Sequence, residues 1–517
     1  MSLSKRFLVV AVIAALIAGI LYVGRVNNRL EEENKENAYY KTQTLYFWYS
    51  DECYTDFLTN AAVEFHAENP DTRVIPVLVS SSEYLQAIND ASLSGENFPD
   101  LYILSNESLE KAYLAGLASK VKDSSGILNE QNYPKAAIDA VTYHKNHIAY
   151  PLSFETTALM YNKTYLQDWV DRINAGEETA KGEGVSLDEM DLSEEDAENL
   201  EQSDGTEEQS EESTEPLTLE SVIPESFDDL YNFSDKYEAG EKVKTLVKWD
   251  VSDVLYNYLF LGAYMQVGGD TGDDATLIDI YNDNTLECMK AYKGLNEIFS
   301  IASDVDYDTT LSEFLEGDSL FTIVSSDAIA RSRNLNADKE SKLKELKDTL
   351  ADVTQKASLE ASAEGKAEED QEKIDSIQKE IDEIDIYEYG FALVPNVKET
   401  LKARALSVTD AIVINGYSDD KTDADKFATF LSEKCAPSLY QRTGRLAASY
   451  KAGYEEGSPE KLFQKEYDDS ISLSKLVEAS NLWVQLEITL KEIWKGSDPG
   501  ECLTNLSNQI KAQLVTE

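Results

Sequence analysis

Histidine and cysteine are scarce in this chain, with three and four among 517 residues. Two of the histidines bracket HKNH (His144 to His147), which reads as the turn of a small hairpin, and the cysteines at 53, 288, 435 and 502 form no CxxC pair. A zinc site or a thioredoxin-like motif is therefore not expected, and neither is any other metal or cofactor. Cations are in short supply too. Against 98 Asp and Glu stand 46 Lys and Arg, a formal net charge of −52, which repels phosphate backbones and sets nucleic acid aside as a partner. GxSxG, P-loop and GxGxxG patterns are missing, which removes the nucleophile elbow and the common nucleotide folds. A carboxylate pair could still serve glycoside hydrolysis. With no nucleophile or metal motif beside it, that alternative stands behind a non-enzymatic reading.

What is present divides the chain. A length of 517 residues exceeds what one core supports, so two or three domains are expected. The charge-free run FLVVAVIAALIAGILYV, Phe7 to Val23, follows Lys5 and Arg6. Its length falls between a signal-peptide core and a short transmembrane helix. No small-x-small cleavage site is evident, so residues 1–41 read as a signal anchor and tether, with the remainder extracytoplasmic. A cleaved signal would place the globular part on the same side. The four cysteines allow three full pairings, and the sequence does not choose among them.

Two segments differ from their surroundings. Between Glu177 and Glu220 there are 18 acidic residues and one lysine, without aromatics, so residues 171–220 read as an acidic insert lacking a core of its own. From 337 to 385, Leu343, Leu346, Leu350 and Val353, then Ile374, Ile377, Ile381 and Ile384, recur at spacings of 3, 4 and 3. That pattern predicts two amphipathic helices folded as an antiparallel hairpin insert. Elsewhere strands and helices alternate: TLYFWYS, TDFLTNAAVEFHAENP, RVIPVLVS, SEYLQAINDASLSGE, DLYILS, ESLEKAYLAGL. Alternation predicts an α/β architecture with mostly parallel sheets, whose ligands bind beyond the carboxyl ends of the strands. FWYSDE, Phe47 to Glu52, is such an end.

Several segments in this order carry a resemblance: FPDLYILSNE (98–107), HIAYPLSFETTALMYNKTYL (147–166), IPESFDDLYNFSDKY (223–237), LYNYLFLGAYMQVGGD (255–270), LFTIVSSDAIARSRN (320–334), YEYGFALVPNV (387–397) and RALSVTDAIVIN (404–415). Together they resemble the extracellular solute-binding proteins of ABC importers, most closely the sugar-binding group that includes maltodextrin-binding proteins. The resemblance implies a two-lobed, Venus-flytrap fold that closes on a solute held between the lobes. Mapped in order, it implies an N-lobe of 42–152 plus 394–445 and a C-lobe of 153–393 plus 446–517, with both inserts in the C-lobe. It further implies an uncharged mono- or oligosaccharide as cargo, an importer permease as partner, attachment to the membrane through the N-terminal helix, and a monomer. A membrane-anchored sensor for a signalling kinase is the alternative use of the same fold.

Sugars present hydroxyls at the rim and C–H groups on the faces, so aromatic platforms and carboxylate acceptors are sought. By position in the matching segments these are Ser50, Asp51 and Glu52 after the first strand, and Asn106 and Glu107 after the third. Glu155 aligns with a glutamate that reaches the ligand in sugar-binding relatives. Tyr258, Ser326, Asp327, Thr409 and Asp410 follow from the later segments, with Trp249 and Trp483 as stacking platforms. Leu261 stands where the family often has a tryptophan. Trp48 can face either the core or the cleft, because neighbouring strand side chains alternate. Asp51 and Glu52 can also cap the helix that follows them. Trp494 and Phe260 lie in apolar helices and read as core.

Overall fold

The computed structural model describes residues 43–80, 82–95, 97–176, 216–237, 240, 242–360 and 366–514. The apolar run at 7–23 and the acidic stretch 177–215 lie outside the described residues. Among the described residues no helix is long and apolar enough to cross a membrane. The strands are, in chain order, β1 (Gln43–Tyr49), β2 (Thr72–Leu78), β3 (Leu101–Ser105), β4 (Thr142–Tyr143), β5 (Asn146–His147), β6 (Tyr150–Asn162), β7 (Thr245–Val247), β8 (Gln266–Val267), β9 (Ile278–Asp279), β10 (Ser319–Ser325), β11 (Tyr389–Ala392), β12 (Leu406–Ile414), β13 (Leu446–Ala447) and β14 (Ile471–Ser472).

In β1 the period-two pattern buries Leu45, Phe47 and Tyr49 on one face. Trp48 therefore points to the other face, half-buried against a smaller core around Tyr102 and Leu104. β2 and β3 flank β1 in parallel, linked through the helices Thr55–Glu68 and Tyr84–Ser94. HKNH is the hairpin turn between β4 and β5, with His144 and Lys145 both in the left-handed region at φ 44° and 65°.

The expectation of mostly parallel sheets is corrected by two strands. β12 runs antiparallel to both β3 and β6, and β10 and β11 run antiparallel to β6, so the order β2-β1-β3-β12-β6-β10-β7 is a mixed sheet. The 13-residue β6 pairs with β12 over its first half and with β10 and β11 over its second. It carries the chain from one lobe to the other. A strand that joins lobes is not part of a βαβ crossover, so nothing imposes parallel pairing on it.

Each lobe has its own apolar centre. In the first, Phe427 meets Phe47 and Phe65 edge-on at 5.8 and 5.0 Å. In the second, Trp494 meets Trp249 and Tyr292 at 5.5 and 4.9 Å, and Phe260 is fully buried with them. The helix Pro459–Asp469 buries Phe463 and Tyr467 and packs on the helix Lys135–Val141, on β6 and on β11.

The helical hairpin is present, but it does not begin at 337. Its outgoing helix is the continuous 34-residue Asp327–Glu360, and its return helix is Lys366–Asp382. No glycine or proline interrupts 327–360, so nothing stops the helix where the insert was expected to start. Leu343, Leu346, Leu350 and Val353 form a half-buried seam against Ile374, Ile377 and Ile381.

Candidate functional site

Two chambers meet between the lobes. The larger, about 1070 Å³, is lined by Ser50, Asp51, Tyr54, Tyr84, Glu107 and Asp410 among others. The smaller, about 520 Å³, is lined by Tyr256, Tyr307, Ser326, Asp327 and Arg331 among others. Asp51, Glu155 and Arg445 line both chambers and mark their junction.

Backbone geometry delivers these groups. β1 ends at Tyr49, and Asp51 caps the short turn Glu52–Tyr54 by accepting from the Cys53 amide at 3.0 Å. Capping leaves its other oxygen for Arg445 at 3.1 Å. Arg445 follows Gly444, whose φ of 72° ends the helix Ala436–Thr443 in the left-handed conformation that glycine tolerates. The guanidinium also lies 3.5 Å from Glu155 on β6. A register shift in β12 falls between Asp410 and Ala411, the kind of irregularity that re-aims a side chain. Asp410 accepts from the hydroxyls of Tyr54 at 2.7 Å and Ser153 at 3.3 Å.

Charge at the junction is unevenly held. Burial raises the Glu155 carboxyl above the usual range, with Arg445 opposing it. Burial raises Asp410 likewise, against the Tyr54 hydrogen bond and Arg445. Asp51 is half-buried, and burial works against its ionisation, yet the bonds from Cys53 and Arg445 prevail and hold it below the usual range. The junction thus offers carboxylate acceptors around one ordered guanidinium donor.

The second chamber supplies the aromatic wall. Tyr256 and Tyr307 stack at 4.6 Å and 18°. The Tyr307 hydroxyl donates to Asp327, as does Ser325 Oγ at 2.7 Å. Arg331, one turn along the same helix, pairs with Asp308 at 2.6 Å and Asp327 at 3.4 Å. Tyr256 is 5% exposed with its face taken by Tyr307, and Arg331 lies 5.8 Å from the Tyr307 ring centre, so the pair closes the chamber wall, and the carboxylates and guanidinium groups beside it suit a polyhydroxylated ligand.

Of the residues expected from sequence, Ser50, Asp51, Glu107, Glu155, Ser326, Asp327 and Asp410 come together along the chambers. Seven others line neither. Trp249 is a correction: it is fully buried, donates its indole N–H to Asn257 at 2.9 Å and packs on Trp494, so no face is left for a ligand. Tyr258 is another, 2% exposed and set against Trp483 at 5.8 Å. Trp483 is half-buried against the second core. Thr409 is fully buried with its hydroxyl 2.6 Å from that of Tyr467. Asn106 is equally buried; it accepts from the Thr409 amide at 2.9 Å and donates to the Leu473 carbonyl at 2.6 Å. Glu52 is exposed on the capped turn, and Trp48 faces the small core.

Sequence reasoning missed Arg445, Tyr54, Tyr256 and Tyr307. Tyr256 lies two residues from the tyrosine that was chosen, and only the register of the short helix Val254–Asn257 separates them. Arg445 carries one local signal, a Gly-Arg step after a helix, which by itself names no partner.

Residues 60–436 match the profile of a family described as bacterial extracellular solute-binding protein. No curated protein matches the chain. Among solved structures, the extracellular solute-binding protein of Staphylococcus aureus in complex with maltose is similar, at 15% identity and a TM-score of 0.63, over 92% of this chain and 98% of that one. A cyclo/maltodextrin-binding protein complexed with maltotetraose gives 15% and 0.62 over 92% and 97%. A maltose-binding periplasmic protein from Listeria monocytogenes in complex with maltose gives 16% and 0.58 over 92% and 99%. At these identities the likeness is one of fold.

Proposed function

We propose, since this chain belongs to the family of bacterial extracellular solute-binding proteins, that it captures an uncharged mono- or oligosaccharide between its lobes and delivers it to an ABC importer. Members of that family bind solutes and are not enzymes, and their globular part works outside the cytoplasm. The observation that carries the sugar reading is the junction of the two chambers. There a carboxylate and guanidinium cluster from both lobes (Asp51, Glu155, Asp410, Arg445) adjoins the stacked pair Tyr256 and Tyr307. The ligands named for the solved structures above, maltose and maltotetraose, make α-linked glucose oligomers the first candidates. In this reading Asp51, Glu107, Glu155, Ser326, Asp327 and Asp410 accept from sugar hydroxyls, Arg445 donates, and the tyrosine pair walls the chamber.

Closure follows from the same reading. A solute touching both lobes favours the closed form by its differential affinity for it, and a permease that recognises the closed form completes delivery. Residues 42–152 with 394–445, and 153–393 with 446–517, are proposed as the two lobes. The anchor at 1–41 is proposed to keep a monomeric receptor at the membrane. The test is a thermal-shift screen of residues 42–517 against sugars, oligosaccharides, amines and metal ions. A sugar at 100 times its dissociation constant should add about 2.7 kcal/mol of stability and be recovered intact. A screen with no sugar response, or a sugar recovered cleaved, would reject the reading.

A further inference from the structure

A further cavity, of about 670 Å³, shares no lining residue with either chamber. The helix Pro459–Asp469 forms one side of it, and the segments 220–225 and 392–396 face that helix. Among the acids that line it, Glu466 is set deepest, 6% exposed. Its Oε2 accepts from the Val394 amide at 3.1 Å, while its Oε1 has no hydrogen-bond partner among the described residues. A carboxyl group more than nine-tenths buried with one oxygen unmatched is costly until a donor meets it.

The charge around the cavity names the sign of that donor. Glu220, Glu225, Asp468 and Asp469 line the same cavity against one lysine, Lys465, and all five are exposed. Arg404, at the same end of the helix, is taken up by the main-chain carbonyls of Asp469 and Ser470 at 2.6 and 3.1 Å. The excess of carboxylates favours a cation. Among the described residues no three acids stand close enough together to hold a metal ion, so the positive charges that fit are spaced ones. Between the acids the wall is apolar, with Ile223, Pro224 and a Leu393 that is 38% exposed. Ammonium groups joined by short methylene runs match both the spacing and the wall.

We propose that this cavity is a second ligand site, separate from the solute chambers, that takes a linear aliphatic polyamine with one ammonium on Glu466 and the others on the acids at its mouth. The methylene runs lie along Pro224 and Leu393. Burial pushes the Glu466 carboxyl up to about 8, with the Val394 hydrogen bond opposing, Asp469 adding to the rise and Lys465 reducing it. Near neutral pH the empty site therefore holds a proton on Glu466. An ammonium seated beside it favours the carboxylate, so binding releases that proton to solvent.

The test titrates the full-length protein with spermidine at about pH 7 by calorimetry, in two buffers of different ionisation enthalpy, which counts the protons released. Wild type is expected to show a saturable site whose binding releases a proton. Glu466→Gln should weaken that site about tenfold or more and abolish the proton release. Exposed acids elsewhere are the same in both proteins and cannot produce the difference. The inference is overturned by a wild type without a saturable site, or by equal affinity and equal proton release in a folded Glu466→Gln. Magnesium ions that displace spermidine at equal concentration overturn it too. Glu225→Gln alters only an exposed side chain and should weaken binding about twofold; no change there, if Glu466→Gln does not fold, also overturns the inference. Because the cavity and the chambers share no residue, a protein that binds no sugar leaves this test intact.

Discussion

Glu466 offers a prediction whose sign and size follow from its surroundings. It lies on the helix Pro459–Asp469, 6% exposed, and accepts from the Val394 amide at 3.1 Å where the chain leaves β11. Burial pushes its carboxyl up to about 8 from near 4.5, with the Val394 hydrogen bond opposing and Asp469 adding to the rise. The folded state therefore holds a proton that the unfolded chain releases near pH 4.5. Its contribution is fully present below that pH and is lost as pH rises through about 8. A separation of about 3.5 units at about 1.4 kcal/mol each sets an upper bound of about 5 kcal/mol. Glu466→Gln keeps an acceptor for Val394 and removes the titration. Urea unfolding at pH 5 and pH 8.5 should show the two proteins within about 1 kcal/mol at the lower pH. At the higher pH the glutamine variant should be ahead by 2 kcal/mol or more. Other titrating groups are common to both and cancel in the difference. Parallel stability profiles across that range would refute the argument that Glu466 is folded in its neutral form.

Three other perturbations separate cleft from core. Arg445→Met leaves Asp51, Glu155 and Asp410 without their cation, and calorimetry should show solute affinity falling at least tenfold while circular dichroism stays native. Trp249→Ala opens a cavity beside Trp494 and should cost about 3 to 5 kcal/mol in urea unfolding, while the stabilisation added by saturating sugar stays as in wild type. Gly390→Ala would bring a Cβ to 2.0 Å from the Tyr161 ring. A loss of about 1 to 3 kcal/mol is expected, and an unchanged urea midpoint would show that the strand pair β6–β11 yields more easily than its packing indicates.

Much of the fold was legible because periodicity is local. TLYFWYS alternates, and HKNH turns the chain between two short strands. The ordered segments also pointed to acids that line the chambers: Asp51, Glu107 and Asp327 follow strand ends, while Glu155 and Asp410 sit within β6 and β12. The parallel-sheet expectation failed at β6 and β12, whose apolar runs look alike whichever way their neighbours run. Trp249 and Tyr258 were misplaced for a related reason. A large aromatic serves a buried core or a ligand equally well, and only three-dimensional packing tells which. Arg445 was invisible because its partners, Asp51 and Glu155, lie 394 and 290 positions away in the chain.

The helix that begins at Asp327 in the smaller chamber runs on for 34 residues, a rod about 50 Å long. Rooted beside the smaller chamber and packed along the return helix Lys366–Asp382, it is a lever within the segment proposed as the second lobe. A closing rotation on the order of 15° moves groups near the hinge by an ångström or two, yet sweeps the far end of such a rod through about 13 Å. Under the proposed closure, occupancy of the cleft would be displayed as a large displacement far from the chambers, where a probe on the hairpin would read it.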